Sequence, residues 1–191
     1  MPLMVIGALC AVVVLACLWL SVTPAADGVR RAVLQLDRTT TGLATLLACA
    51  ALAVAVFAGA WQVVARFATE TPAVWSEALV RTALVWMALL GLSAALRTGS
   101  LVSIDVAHRL APRGLRRGLE AAALAGSLVL MGVLFWFGWT MAQRVRFQEM
   151  AGLEVSISWG YAAIPIGAAF AMIGALAGFL DRRSEELEAA V

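Results

Sequence analysis

Long uncharged apolar runs, separated by short polar connections, make up most of this chain; they cover roughly 1–26, 39–65, 82–96, 121–143 and 155–180. A helix needs about 20 such residues to cross the ~30 Å hydrocarbon core of a bilayer. Four runs reach that length outright. The run 82–96 reaches it only if its charged flanks, Glu77–Arg81 and Arg97, snorkel to the interface. The pattern predicts an all-α integral membrane protein in two parts. Residues 1–26 form an extra N-terminal transmembrane helix, and 27–191 form a bundle with helices over about 40–65, 77–97, 119–143 and 157–180. The polar connections 23–41 and 98–120 are too short to bury a soluble core.

The connections carry finer patterns. In Asp27 to Arg38, Val29, Val33 and Leu36 recur at i, i+4, i+7 while Arg30, Arg31, Gln35 and Arg38 face the other way. That spacing predicts a short amphipathic helix lying on the membrane surface, or a polar helical connector. A second candidate, Ser103 to Leu119, is broken by Pro112. In the last run, Gly167, Ala171, Gly174 and Gly178 share one face, which predicts close approach to another helix without naming it. Gly91 is read in the same way, as permitting close packing, and Pro165 as a kink or as the start of the regular helix. Trp61, Trp75, Trp139 and Trp159 stand at or near run ends, where an interfacial aromatic belt would place them.

Composition agrees with the pattern, at 63% apolar residues and a mean hydropathy of +0.93. The arginines add orientation. Arg30, Arg31, Arg38, Arg97, Arg109, Arg113, Arg116, Arg117, Arg182 and Arg183 fall on one side, against Arg66, Arg144 and Arg146 on the other. The positive-inside rule then puts the C-terminus in the cytoplasm, and five helices require an outside N-terminus. A cleaved signal peptide is the rival reading of 1–26, since Thr23-Pro-Ala-Ala26 could serve as its cleavage site; a misassigned start codon is another. Against the signal peptide, no positive charge precedes the apolar stretch, and cleavage would tend to leave Arg30 and Arg31 outside. Cys10, Cys17 and Cys49 all fall in apolar runs and read as small apolar side chains.

The missing chemistry narrows the function. His108 is the only histidine, so one chain cannot supply two histidines to a haem. The sequence holds no HExxH, GxSxG, Walker A motif or Cys/His cluster. Deep in the apolar runs there is no Asp, Glu, Lys or His, where transport sites usually declare themselves. Nothing points to nucleic acid, and membrane lipids are the surroundings the apolar runs require. What remains are polar residues at helix ends. Glu77 and Arg81, at i and i+4, face the same way and can pair. An unpaired Arg would cost up to ~2.5–3.5 kcal/mol at the bilayer centre and less near its edge. The pair is either an ordinary interfacial salt bridge or an anchor holding this helix to its neighbours or to another subunit. Arg97-Thr-Gly99 ends the same helix and Asp105 follows within capping reach of the next.

Taken together, these residues resemble the small permease subunit (DctQ-type) of tripartite ATP-independent periplasmic, or TRAP, transporters, over about Leu36 to Arg183. Three blocks carry the likeness. The first is Trp61-Gln62-Val-Val-Ala-Arg66-Phe67. The second is Trp75-Ser-Glu77…Arg81…Trp86…Leu90-Gly91…Arg97-Thr-Gly99…Ile104-Asp105. The third is Gln148…Leu153…Ile157-Ser-Trp159-Gly-Tyr161…Ile164-Pro165-Ile-Gly167. Two features depart from the family: Leu101 stands in the region where members often carry a His, and most members have four helices. The resemblance implies a non-enzymatic scaffold in the bacterial inner membrane, without a cofactor of its own. Its partners would be a large permease subunit (DctM-type) holding the solute and sodium sites and a periplasmic solute-binding protein (DctP-type) that captures an organic acid. It also implies that Glu77 and Arg81 are an anchor. The rival class is a membrane anchor for a redox or other enzyme complex, which would usually bring haem or quinone ligands.

Overall fold

The computed structural model describes residues 2–20, 27–68, 73–98 and 113–188. Five helices fill them: α1 (Pro2–Leu20), α2 (Asp27–Ala68), α3 (Val74–Thr98), α4 (Arg113–Arg144) and α5 (Ser158–Glu188). Four contain stretches long and apolar enough to cross a membrane: Arg31–Ala68, Val74–Arg97, Gly118–Arg144 and Ser158–Asp181. These correspond to the four helices expected over 27–191. The protein is an all-α, multi-pass membrane protein.

One boundary is corrected. The short surface helix expected at 27–38 is not separate, because α2 runs unbroken for 42 residues, about 63 Å at 1.5 Å per residue. The reason lies at Thr39 and Thr40, which follow directly on Arg38. Thr39 and Thr40 donate their hydroxyls to the Leu36 carbonyl at 2.8 Å each, so their polar groups are satisfied inside the helix. With no proline nearby, nothing stops the helix. It is about twice as long as a bilayer core requires, so its first turns must extend beyond the hydrocarbon.

α5 is the central element. Over half of its most apolar stretch is buried (56%), against 17–22% for the other three spans. It packs along α3 on one side and α4 on the other and touches α2, while α2 lies along α3. Small residues make this possible. A Cβ on Gly167 would fall 2.6 Å from the Leu89 Cβ, and one on Gly174 would fall 2.6 Å from the Ser93 carbonyl oxygen. One on Gly178 would meet the Arg97 carbonyl oxygen at 2.9 Å. The glycine face of α5 therefore packs on Leu89, Ser93 and Arg97, which stand four residues apart on one face of α3. Ser93 is fully buried there, its hydroxyl donated to the Leu90 carbonyl. Gly91 does not share in this contact: a Cβ there would meet nothing of this chain within 4 Å. It lies on α3 between the positions that face α5.

Pro165 is buried inside α5 rather than at its start. α1 packs on α4, where Ile6, Cys10, Val13 and Val14 cluster with Leu124 and Leu128 of α4 and Ala175 of α5. Its apolar stretch over the described side chains, Met4–Leu15, is shorter than the four spans.

Candidate functional site: two polar clusters at opposite ends of the bundle

The first cluster joins three helices. Arg97, in the last turn of α3, reaches Asp37 of α2 with Nε (2.5 Å to Oδ2) and Asp181 of α5 with Nη2 (2.8 Å to Oδ2). Asp37 is 1% exposed, and its other oxygen accepts a hydrogen bond from Thr41 Oγ1 at 2.8 Å. Both carboxylate oxygens of Asp37 are thus engaged, as a buried carboxylate requires. The local sequence sets this up: Asp37 and Thr41 lie one helical turn apart, so the hydroxyl stands over the carboxylate. A cleft of about 410 Å³ beside the cluster is also lined by Leu34, Arg38 and Gly42.

Sequence reasoning singled out Arg97 but missed both of its partners. Asp37 was the more legible of the two. It lies one turn after Val33, on the flank of the apolar face of its helix, where a solvated acid has no reason to be. Asp181 ends the last apolar run and carried no comparable signal.

The second cluster lies at the other end. Arg81 Nη2 donates to Glu77 Oε1 at 2.8 Å, forming the expected i, i+4 pair. The pair is open, with the Arg81 side chain 77% and the Glu77 side chain 61% exposed. It faces outward from the chain, so the helix-to-helix anchor within this bundle is the Arg97 cluster. Beside the pair a cleft of about 590 Å³ runs between α3 and α5. Its walls are Val74, Ala78 and Val85 on one side and Ile157, Tyr161 and Ile164 on the other.

The link between α4 and α5 closes the top of this cleft. It is pinned by an isolated bridge between Glu149 and Ser156, and the Ser156 hydroxyl donates to the Arg146 carbonyl at 2.7 Å. Gly152, at φ +85°, sits where a Cβ would press on the Trp75 nitrogen at 3.0 Å and the Val74 carbonyl carbon at 3.1 Å. Gln148 takes part through its backbone, its carbonyl accepting the Ile157 N–H at 2.9 Å. Trp86 Nε1 donates to the Trp159 carbonyl at 3.1 Å and so joins α3 to the first turn of α5. Thr82 Oγ1 lies 3.5 Å from Met150 Sδ across the same end. Trp61, Trp75, Trp139 and Trp159 are all at least partly exposed at this end.

Gly99 and Asp105 lie outside the described residues, as does His108. Among the described residues no three His, Cys, Asp or Glu side chains gather closely enough to hold a metal. Neither cluster pairs a nucleophile with a base. What the two can do is hold helices together at one end and present charge beside an apolar cleft at the other.

The profile of the DctQ component of the tripartite ATP-independent periplasmic transporters matches residues 56–184, from the middle of α2 to α5. The sialic acid TRAP transporter small permease protein SiaQ of Vibrio cholerae is 32% identical over 110 residues, which are 58% of this chain and 64% of that protein. The sialic acid TRAP transporter permease protein SiaT of Haemophilus influenzae is 28% identical over 105 residues, which are 55% of this chain but 17% of that longer protein. The chain thus spans under two thirds of the length of either relative.

Proposed function

This chain belongs to the DctQ component family of the tripartite ATP-independent periplasmic transporters, and from that premise we propose that it is the small membrane subunit of such a transporter. It packs beside a large permease that carries the solute and sodium sites, and a periplasmic binding protein delivers the solute, an organic acid. The chain itself catalyses nothing and needs no cofactor.

The observation that carries this reading is the distribution of polar groups. Both charged clusters stand near the ends of the helices, and the apolar stretches between them contain no acid, lysine or histidine. A carrier that moves an anion and a cation through its own midplane usually needs polar groups or broken helices there. Much of the surface of α2 is instead exposed and apolar, including Leu46, Phe57 and Phe67, and a second membrane protein can cover part of it. The relative SiaT supports the pairing. This chain matches a minor part of a long permease polypeptide, as a small and a large component joined on one chain would look. The names of both relatives mention sialic acid, which is an organic acid and sets the solute class proposed for this chain.

Co-expression with the large permease from the same gene neighbourhood should give a complex that survives purification. Removing this chain should abolish sodium-driven solute uptake in reconstituted vesicles. Uptake that persists without it, or uptake by this chain alone, would overturn the reading.

The orientation proposed puts the Arg97 cluster on the cytoplasmic side, because the arginine-rich connections lie at that end. α1 then serves as a fifth membrane helix with its start outside. A reporter that is active only in the periplasm should be silent when fused after Val191 and active when fused in the 145–157 link. The reverse pattern would invert the assignment.

A further inference from the structure

The cleft between α3 and α5 is apolar, lies in a membrane-spanning part of the chain, and has an open ion pair on its rim. Its length along α3, from Val74 to Val85, is about 16 Å at 1.5 Å per residue. That is close to the ~15 Å depth of one leaflet. The tryptophans place its upper end. Trp75 lies in the first turn of α3 and Trp159 in the first turn of α5, both partly exposed, as residues at headgroup level are. Below them, Val85 and Ile164 lie at acyl-chain depth.

The rim pair is suited to two charges of opposite sign. Helical side chains lean toward the N-terminus of their helix. Arg81 therefore leans up toward Glu77 and the interface, as the 2.8 Å bond between them shows. Both heads remain largely exposed, so each has hydrogen-bonding capacity to spare. A guanidinium binds phosphate well, while a carboxylate beside it repels a purely anionic headgroup and attracts an ammonium.

We propose that this cleft is a specific phospholipid site: one acyl chain lies between α3 and α5, the lipid phosphate sits on Arg81, and a primary ammonium of the same headgroup sits on Glu77. The occupant is a zwitterionic phospholipid of the phosphatidylethanolamine type from the leaflet on the tryptophan side. The membrane supplies it in excess, and the cleft offers it apolar walls and both countercharges. Seated there, the lipid would cover the cleft beside the exposed pair. The proposal needs only that the chain lies in a bilayer, so it can fail without touching the transporter reading.

Native mass spectrometry of the full-length chain, released from membranes in mild detergent and then exchanged into mixed phosphatidylethanolamine and phosphatidylglycerol, provides the test. The wild type should retain one phosphatidylethanolamine with about fivefold preference, a difference that one exposed charge contact can supply. Glu77→Gln should erase the preference for the ammonium-bearing lipid, and Arg81→Gln should weaken retention of both lipids. An exposed pair contributes little to folding, so both variants should remain folded, which their circular dichroism melts would verify. Equal retention by the wild type and the doubly neutral variant overturns the proposal. So does a photo-crosslinker at Val85 that labels the large permease, and no lipid, in native membranes, because a partner helix would then fill the cleft.

Discussion

Arg97→Ala is expected to destabilise the bundle by about 2–4 kcal/mol. Removing one partner of a buried ion pair typically costs ~3–5 kcal/mol, since the other charge stays buried and uncompensated. Asp37 fits that case, at 1% exposed with only the Thr41 hydroxyl left to it. The lower end of the range applies because Arg97 and Asp181 are partly open, with side chains 26% and 38% exposed, and water can screen them. The loss should appear as a lower unfolding midpoint in detergent and as faster proteolysis near the α2–α3 contact. A compensating variant separates charge from packing. Arg97→Met combined with Asp37→Asn leaves no buried charge on the α2–α3 side and should recover more than half of the lost stability. Arg97→Ala melting within about 0.5 kcal/mol of the wild type, the usual scatter of surface substitutions, would remove the cluster from the list of what holds the fold.

The second large effect concerns the α5 glycine face. Gly174→Ala is expected to destabilise the protein by about 2 kcal/mol, although alanine is the better helix former by ~1 kcal/mol. The new Cβ would lie 2.6 Å from the Ser93 carbonyl oxygen. That atom belongs to the α3 backbone, so relief requires the two helices to move apart. Moving them also pulls on Gly178, packed on the Arg97 carbonyl one turn further along, and so disturbs the ion cluster. Gly91→Ala is the matched control. Its Cβ would meet nothing within 4 Å, so the helix-propensity gain should stand alone, and stability should hold or rise by up to ~1 kcal/mol. Thermal melts of the two variants side by side should therefore move in opposite directions. If both fall equally, close approach of α5 to α3 is not what the glycines provide.

These two sites also show where reading the sequence stopped short. The spacing of Gly167, Gly174 and Gly178 announced a close contact, but that motif has the same form whichever helix it meets. Gly91 packs on no other helix of this chain, and one glycine in an apolar helix carries no directional signal to say so. Glu77 and Arg81 drew attention because their pairing is written in a four-residue spacing. Arg97 mattered more to the bundle, and its partners lie 60 residues before it and 84 after it. The amphipathic spacing of 27–38 was legible, but not that α2 continues unbroken through Thr39 and Thr40, whose hydroxyls bond back to the preceding turn.

By itself the sequence determined the class and the presence of four spans, since both depend on local hydropathy and on the fixed thickness of a bilayer. Only the tertiary structure decided that α5 is the centre, that its glycines seat on Leu89, Ser93 and Arg97, and that Asp37, Arg97 and Asp181 form one ion cluster. In hydrocarbon every helix is apolar around most of its surface, so hydropathy does not say which face meets which neighbour. That choice rests on close fit and on the few charges that must find partners, and both exist only once the helices are side by side.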